Sequence, residues 1–304
     1  MVVTIRRISS IACCALAFTS ANVFAQAPAT PARWALVEQA LGRKGAMQAG
    51  DVLKFAFPRS DLTVTVDGVV VKPALALGSW LAFKDVDGGQ TMVMGDLVLG
   101  EGEVDPVMKA LQAGGVEQTA LHNHVLKESP RVMYMHISAH GDATKIAKTL
   151  RSALGMSQTP TGAPAAAASP SAADLDTAAI AQALGIAGKL NGVVYQVAVP
   201  RREVIRDGAH EIPPSMGVAT AINFQPTGGG KAAITGDFVM RPVEVNKVIR
   251  ALTAAGIQVS ALHSHMLQEE PRLFFMHFWA NDDAVKLAKG LRSALDQTAV
   301  KLGR

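Results

Sequence analysis

The chain has 304 residues, of which 49% are hydrophobic and 18% are charged. Disordered chains are more polar and more strongly charged, so this composition excludes disorder as the main state and allows one large domain or two ordinary ones. The formal net charge is only +4, from 29 basic and 25 acidic side chains, and so small an excess argues against nucleic acid as a partner.

The first 25 residues have the pattern of a cleaved secretory signal peptide. Arg6 and Arg7 precede an apolar run over residues 8–18, and the small residue Ala25 closes the segment. The run is shorter than the roughly 20 residues that a membrane-spanning helix needs, and no later segment qualifies, so no transmembrane segment is predicted. We therefore expect an exported protein, periplasmic or secreted, whose net charge falls to +2 once the two arginines are removed.

The two cysteines of the chain, Cys13 and Cys14, lie inside this predicted signal. A lipoprotein would be acylated at Cys13, but only five residues separate it from Arg7, which is too short for a normal apolar core. Cleavage after Ala25 would remove both thiols. Any metal site of the mature chain would then use His, Asp or Glu.

An internal repeat organises the rest of the chain. The stretch from Leu121 to His136 recurs from Leu262 to His277, displaced by 141 positions throughout. Between the copies lies a segment rich in Ala, Pro and Ser without a charged residue over 155–173, which is typical of a flexible linker. The sequence thus predicts a first α+β repeat over 26–154, a linker over 155–173 and a second α+β repeat over 174–304.

Both repeats give the same order of elements. In the first repeat the hydrophobic periodicity and the turn residues predict a helix over 34–41, strands over 52–57, 62–66, 79–83 and 91–99, a helix over 104–113, strands over 118–126 and 131–138, and a helix from its N-cap Asp142 to Leu154. Strand-helix-strand-strand-helix is the order of a ferredoxin-like layer. We expect an α+β fold of two tandem ferredoxin-like repeats, with their sheets packed face to face in a pseudo-twofold arrangement.

Six of the eight histidines form three pairs at the 141-residue offset, and these are His122/His263, His124/His265 and His136/His277. The first two of each copy are separated by one residue, so on a strand they point to the same face. A tight turn of three or five residues centred on Ser129 would set His122 directly opposite His136 and add the third imidazole to that face.

Three neutral imidazoles with an open fourth position suit Zn²⁺, and other divalent transition metals could also bind. The alternative is that these histidines are structural residues of the core or of the hairpin surface. His140 and His210 have no counterpart in the other copy, and we expect both to be surface residues.

Two pairs of carboxylates are candidates for moving protons at such a site. Asp96 and Asp237 lie in the strand that should neighbour the third histidine, where each could accept a hydrogen bond from an imidazole, bind the metal, or only complete a strand end. Glu128 and Glu269 lie at the predicted turn, roughly 13 Å along the strand from the histidines of their own copy. They could pair with Arg131 and Arg272, or reach the site of the other copy.

The repeated motif of Leu-His-x-His, Glu-x-Pro-Arg and Met-His resembles the LppY/LpqO-type family of bacterial exported proteins and lipoproteins. The motif is complete from Leu262 through Pro271 and Arg272 to His277. The resemblance implies an exported location and a duplicated architecture, and it supplies no substrate. Since the chain lacks a credible lipidation site, membrane anchoring is not implied for it.

These observations favour an exported metal-binding protein with a histidine cluster in each repeat, suited to metal-dependent hydrolysis of an unknown substrate. The main alternative is a non-catalytic module that binds a small-molecule or cell-envelope ligand between the sheets, with structural histidines. A periplasmic metal carrier would need the same histidines without the carboxylates.

Overall fold

The structure, a computed structural model, describes residues 31–162 and 174–302. The predicted signal peptide and residues 163–173 of the predicted linker lie outside the described residues. Among the helices of the described part, none is both long and apolar enough to cross a membrane.

The chain folds as two units with the same order of elements. The first contains α1 (Ala35–Leu41), β1 (Ala46–Gln48), β2 (Val52–Pro58), β3 (Val64–Val66), β4 (Val69–Val71), β5 (Gly78–Asp85), β6 (Thr91–Gly100), α2 (Val104–Ala113), β7 (Glu117–His122), β8 (Val132–Gly141) and α3 (Ala143–Leu154). The second contains α4 (Thr177–Leu184), β9 (Lys189–Asn191), β10 (Val194–Pro200), β11 (Ile205–Asp207), β12 (His210–Ile212), β13 (Ala219–Gly228), β14 (Lys231–Met240), α5 (Pro242–Ala254), β15 (Gln258–His263), β16 (Glu269–Glu270), β17 (Phe274–Asp283) and α6 (Ala284–Leu295).

Each unit builds one antiparallel six-stranded sheet. The order is β1-β2-β5-β6-β8-β7 in the first sheet and β9-β10-β13-β14-β17-β15 in the second, so the two topologies are the same. A two-stranded ribbon, β3-β4, and a three-stranded one, β12-β11-β16, complete the strands. The predicted mixed α+β class and the tandem duplication are confirmed.

The three helices of each unit cover one face of its sheet. Leu81, Leu97 and Met135 point to this face and pack against apolar side chains of α1 to α3, which include Val37 and Leu150. The last helix of each unit begins where the sequence places its N-cap, because the carboxylate of Asp142 or Asp283 accepts a hydrogen bond from a main-chain N–H three residues on, at 2.7 Å in both.

The other faces of the two sheets meet, and the two ribbons cross between the units. Ile205 and Ile212 of the second unit pack on Met92 and Met94 of the first sheet. In return, Val71 and Leu77 of the first unit pack on Val194, Ala233 and Trp279 of the second sheet. We call residues 64–77 and 205–218 the exchanged arms, because each contributes to the core over the other unit's sheet.

Hydrogen bonds from the sheets hold the exchanged arms. Gln225 accepts from the main-chain N–H of Lys72 and donates to the carbonyl of Val70, both at 2.8 Å. The hydroxyl of Ser215 donates to the carbonyl of Ala49 at 2.8 Å. The two units therefore share one continuous interior.

The predicted tight turn between β7 and β8 is wrong. His122 pairs with Tyr134, and His136 pairs with Ala120, two residues from the expected register. The strand ends at His122 rather than at residue 126, because the chain turns inward there and buries Val125 in the shared core. A register shift of two residues preserves the face to which each side chain points, so the three histidines still share a face.

The described part of the predicted linker is attached to the first unit. The main-chain N–H of Gln158 donates to Glu103 at 2.7 Å, and Thr159 is buried. Arg43 reaches the carbonyl of Gly162. Over residues 155–162 the expected flexible linker is therefore a packed extension of α3.

Candidate metal centre

A row of paired residues crosses the inner face of each sheet and carries an aspartate and a histidine. In the first sheet Trp80 pairs with Asp96, and Asp96 pairs with His136. In the second sheet Ala221 pairs with Asp237, and Asp237 pairs with His277. Directly paired residues share a face, so each row places a carboxylate beside an imidazole, as the sequence predicted for Asp96 and Asp237.

The other four histidines come from the inner edge of each sheet. His122 and His263 are the last residues of β7 and β15, and His124 and His265 follow in the adjoining loops. The hydroxyl of Thr119 donates to the carbonyl of His265, and the hydroxyl of Ser260 donates to the carbonyl of His124, both at 2.5 Å. This reciprocal pair of hydrogen bonds holds the two histidine loops against each other.

All six histidines therefore meet at the junction between the units. The ring centroids of His122 and His263 lie 3.7 Å apart, those of His124 and His277 also 3.7 Å, and those of His136 and His265 3.8 Å. Each of these three close pairs joins one unit to the other. The sequence left open whether the copies hold separate clusters or one, and the structure shows a single six-histidine cluster.

Three overlapping groups in the described part of the chain could hold an ion, with their ligand atoms all within 4.8 Å of one another. One lies within the first unit, and two draw on both units; the groups are His122/His124/His136, His122/His263/His277 and His136/His263/His265. His122, His136 and His263 each belong to two of the three groups. They are the residues on which metal binding would depend most.

Hydrogen bonds at Nδ1 of two histidines leave the lone pair of Nε2 free to point into the cluster. Nδ1 of His277 can donate to the carbonyl of Gly236 at 2.7 Å, and Nδ1 of His122 to the carbonyl of Asn123 at 3.2 Å. Either bond leaves Nε2 as the atom that can bind a metal. Nε2 of His122 lies 3.1 Å from Nε2 of His136, close to the about 3.3 Å between two nitrogens on a tetrahedral zinc ion.

Several of these nitrogens are buried without a hydrogen-bond partner. They are Nε2 of His124 and of His277, and both ring nitrogens of His263. A buried polar atom without a partner loses its hydration without compensation, so proteins rarely leave one unsatisfied. Such a set of convergent nitrogens fits a metal ion.

Burial keeps five of the six histidines neutral. It lowers the pKa of His122 to about 3, with a further contribution from His277, and it holds the pKa of His124 and of His136 well below the usual value. The pKa of His263 and that of His277 are lowered for the same reason. Neutral imidazole is the form that binds a metal.

The two aspartates differ in their contacts with the cluster. An oxygen of Asp237 lies 2.9 Å from Nε2 of His265, whereas Asp96 approaches Nε2 of His124 and of His136 only to 3.8 and 4.0 Å. Burial raises the pKa of Asp96 to about 8, and the neighbouring Asp237 raises it further. For Asp237 burial acts in the same direction, but His277 and His265 outweigh it and hold the pKa below its usual range.

Glu128 lies in the loop after the histidines and Glu269 in the short strand β16, and each accepts a hydrogen bond from a main-chain N–H four residues further on. Glu128 accepts from the main-chain N–H of Val132 at 3.2 Å, and Glu269 accepts from that of Leu273 at 2.8 Å. Glu269 pairs with Arg272 at 3.1 Å, as the sequence suggested. In the first unit Arg131 lies instead 3.8 Å from Glu101. Neither glutamate belongs to a metal-binding group found in the described residues.

A cavity of about 730 Å³ opens between the sheets beside the cluster. Both aspartates and four of the histidines line it, together with Lys54, Trp80 and polar residues of both units. Lys54 was not among the residues singled out from the sequence. It carries no motif, and only the register that puts it on the inner face of β2 reveals its position.

Two further features escaped the sequence reasoning. Tyr134 and Phe275 stack against His124 and His265, and they are equivalent residues at the 141-residue offset, which was a signal available in the sequence. His140 and His210 do meet, with ring centroids 6.0 Å apart, but outside the six-histidine cluster. His140 is exposed, as expected, and His210 is partly buried.

The family model described as Domain of Unknown Function (DUF1259) matches the chain twice, over residues 35–156 and 178–297. The chain belongs to the DUF1259 family. Each match covers one structural repeat, so this DUF1259 protein contains two copies of the domain. No curated protein matches its sequence significantly.

Two solved structures share weak similarity with this DUF1259 protein. The trimeric bacterial microcompartment shell protein PduB is 14% identical, with 83% of this chain and 90% of that chain covered and a TM-score of 0.21. EtuB from Clostridium kluyveri is 10% identical, with 82% and 89% covered and a TM-score of 0.23. Similarities this low support no inference about function.

Proposed function

We propose that this chain is a metal-binding protein that holds a divalent transition-metal ion, with zinc as the first candidate, in the six-histidine cluster. The observation that carries the proposal is the set of buried imidazole nitrogens without partners, since a bound ion would satisfy them. His122, His263 and His277 form one candidate set of ligands, and His136, His263 and His265 form another. Both sets need the two units together.

Metal-dependent hydrolysis is the activity that the surroundings would suit. A bound zinc ion supplies Lewis acidity and lowers the pKa of a bound water. In the metal-free protein burial raises the pKa of Asp96 to about 8, while His277 and His265 hold the pKa of Asp237 below its usual range. Two carboxyls with separated pKa values can serve as acid and base, and the cavity gives a substrate room to reach both.

Two finer assignments belong to the same proposal. The segment from β6 through α2, β7 and β8 to α3 has the order of a ferredoxin-like unit, and so does its counterpart in the second repeat. Export is supported by the arginines, apolar run and Ala25 of the first 25 residues. N-terminal sequencing of the protein made in a bacterial host should find Gln26 first.

Elemental analysis of protein purified without a histidine tag tests metal binding. We expect about one equivalent of a transition metal, and less than about a fifth of an equivalent after incubation with Zn²⁺ would contradict the proposal. H122A and H263A should each lower zinc affinity at least about tenfold, because each removes two of the three ligand groups.

The matched control is H140A, which removes an imidazole outside the cluster. It should bind zinc like the unchanged protein, and an equal loss in H140A would show that the six-histidine cluster is not the site. Zinc binding without any hydrolysis of ester, amide or phosphate substrates would favour the carrier or ligand-binding alternative.

A further inference from the structure

The cavity beside the cluster is lined by equivalent positions of the two repeats and by two lysines, the partly buried Lys54 and the exposed Lys189. Lys54 on β2 occupies the position that Gln196 holds on β10, since Lys54 pairs with Ala46 of β1 as Gln196 pairs with Lys189 of β9. Both make the same contact with an exchanged arm. Lys54 donates to the carbonyl of Ser215 at 3.0 Å, and Gln196 donates to that of Ala74 at 2.8 Å.

Lys54 brings an ammonium group into this cavity without a carboxylate to pair with it. Its Nζ lies 4.2 Å from the ring centroid of Trp80, and no carboxylate within residues 31–162 and 174–302 comes within 4.0 Å of it. An ammonium group has three donors, and the carbonyl of Ser215 takes one. A partly buried cation with free donors in a cavity is a ready partner for an anion.

The ammonium group is charged under ordinary conditions. Burial lowers the pKa of Lys54 to about 8, while Asp96 acts in the opposite direction. The lysine therefore keeps its proton at neutral pH. Gln196, which occupies the equivalent position, provides only a neutral amide, and the other lysine of the lining, Lys189, is exposed, so Lys54 is the partly buried cation of the cavity.

We infer that the cavity binds a small organic anion whose carboxylate or phosphate group is held by Lys54 while the rest of the molecule extends toward the histidines. The volume of about 730 Å³ suits a molecule of metabolite size. The contact with Lys54 stands without a metal. The orientation of the other end toward the cluster rests on the proposed metal site.

Calorimetric titration of metal-free protein tests the contact with Lys54. Dialysis against a chelator removes metal, and inorganic phosphate, succinate and neutral glycerol then serve as probes. We expect phosphate, succinate or both to bind, glycerol not to bind, and the stronger of the two anions to identify the group that the site prefers. K54Q, which copies the residue of the other repeat, should weaken anion binding at least about tenfold, whereas K54R should retain it.

K109Q makes the same change of charge at an exposed residue of α2 and should leave anion binding unchanged. The thermal midpoint of each variant shows whether the fold is intact. If K54Q unfolds, K54R, which keeps the positive charge, is the variant on which the test depends. Failure of both anions to bind, or equal binding by K54Q and unchanged protein, would overturn the inference.

The two proposals fail separately. Anion binding that depends on Lys54 in a protein that takes up no metal would leave the anion site standing and refute the metal centre. Metal uptake together with anion binding that K54Q leaves unchanged would refute the anion site and leave the metal centre standing.

Discussion

Asp96 and Asp237 occupy equivalent positions and yet have different environments. Asp237 lies at 2.9 Å from an imidazole nitrogen of His265, while Asp96 stays 3.8 Å or more from its nearest histidine. A carboxylate in contact with a ligating imidazole orients the ring and raises its basicity. We expect Asp237 to support the metal centre more strongly than Asp96.

The substitution D237N should therefore lower zinc affinity by about tenfold or more, within the range measured for groups that orient metal ligands. D96N, the matched change in the other repeat, should lower it less. Competition with a chromophoric chelator measures both affinities. A larger loss in D96N than in D237N would contradict this assignment.

At the scale of elements, a buried arginine ties the end of β2 or β10 to the following helix region in each repeat. Arg59 contacts Glu103 at 2.7 Å, and Arg201 contacts Glu244 at 2.8 Å. Both arginine side chains are only 1% exposed, so each depends on its carboxylates for compensation. Glu244 also accepts from the main-chain N–H of Ala299, which fixes the segment after α6.

Acid should weaken this contact. Burial alone would raise the pKa of Glu244, but the contacts with Arg201 and the main-chain hydrogen bonds from Arg241 and Ala299 together outweigh it, so the pKa is lowered. A lowered pKa in the folded state adds stability that is complete above the ordinary glutamate pKa of about 4.5 and is lost as the pH falls through the folded value.

E244Q should reduce the free energy of unfolding at pH 7 by about 3 kcal/mol, because it leaves Arg201 buried without its main counter-charge. The difference from the unchanged protein should shrink as the pH falls below 4.5, because Glu244 is protonated first in the unfolded chain and then, at lower pH, in the folded one. Urea unfolding at pH 7 and pH 4 measures this. D105N, which alters an exposed pair with Lys109, is the control and should unfold like the unchanged protein at both pH values.

Much of the element order follows from local sequence signals. The helix over 104–113 and the N-cap at Asp142 are found where hydrophobic periodicity and capping chemistry place them. The common face of the three histidines depends only on the parity of the register, so it survives a shift of two residues. These are properties of a strand or helix in isolation.

The rest required knowledge of how the elements pack. The loop after His122 lengthens because Val125 turns into a core that the second repeat helps to build, and a single hairpin gives no sign of that core. The close pairing of His136 with His265 depends on the placement of one sheet over the other. Lys54 lacked any sequence signal, since a single lysine in a strand is ordinarily exposed.

At the scale of the whole molecule, each repeat has its own core between its sheet and its helices, but neither covers the inner face of its sheet alone. The cluster that contains Met92 and Met94 is closed by Ile205 and Met216 of the other repeat, and the equivalent cluster over the second sheet is closed by the arm of the first. Exposed alone, the inner faces would be large apolar patches. The reciprocal hydrogen bonds of Thr119 and Ser260 add contacts that one repeat cannot make by itself.

Residues 31–162 and 174–302 produced as separate chains should each be unstable or self-associate, and mixing them should restore a one-to-one complex. Only the complex should bind zinc with the affinity of the intact chain, because two of the three ligand groups need both repeats. Size-exclusion chromatography and circular dichroism follow assembly. A folded, monomeric half that binds zinc like the intact chain would contradict the shared core.

The exchanged arms also show what is gained when two copies of a repeat are joined in one chain. Two identical copies of one repeat, related by a true twofold axis, could form the same interlocked pair as an isologous homodimer. In such a dimer every residue would occur twice, so the equivalent positions of Lys54 and Gln196 would hold two lysines or two glutamines. Joining the copies in one chain removes that constraint. It lets a partly buried cation face a neutral amide, and so lets a symmetric scaffold distinguish the two ends of an asymmetric molecule.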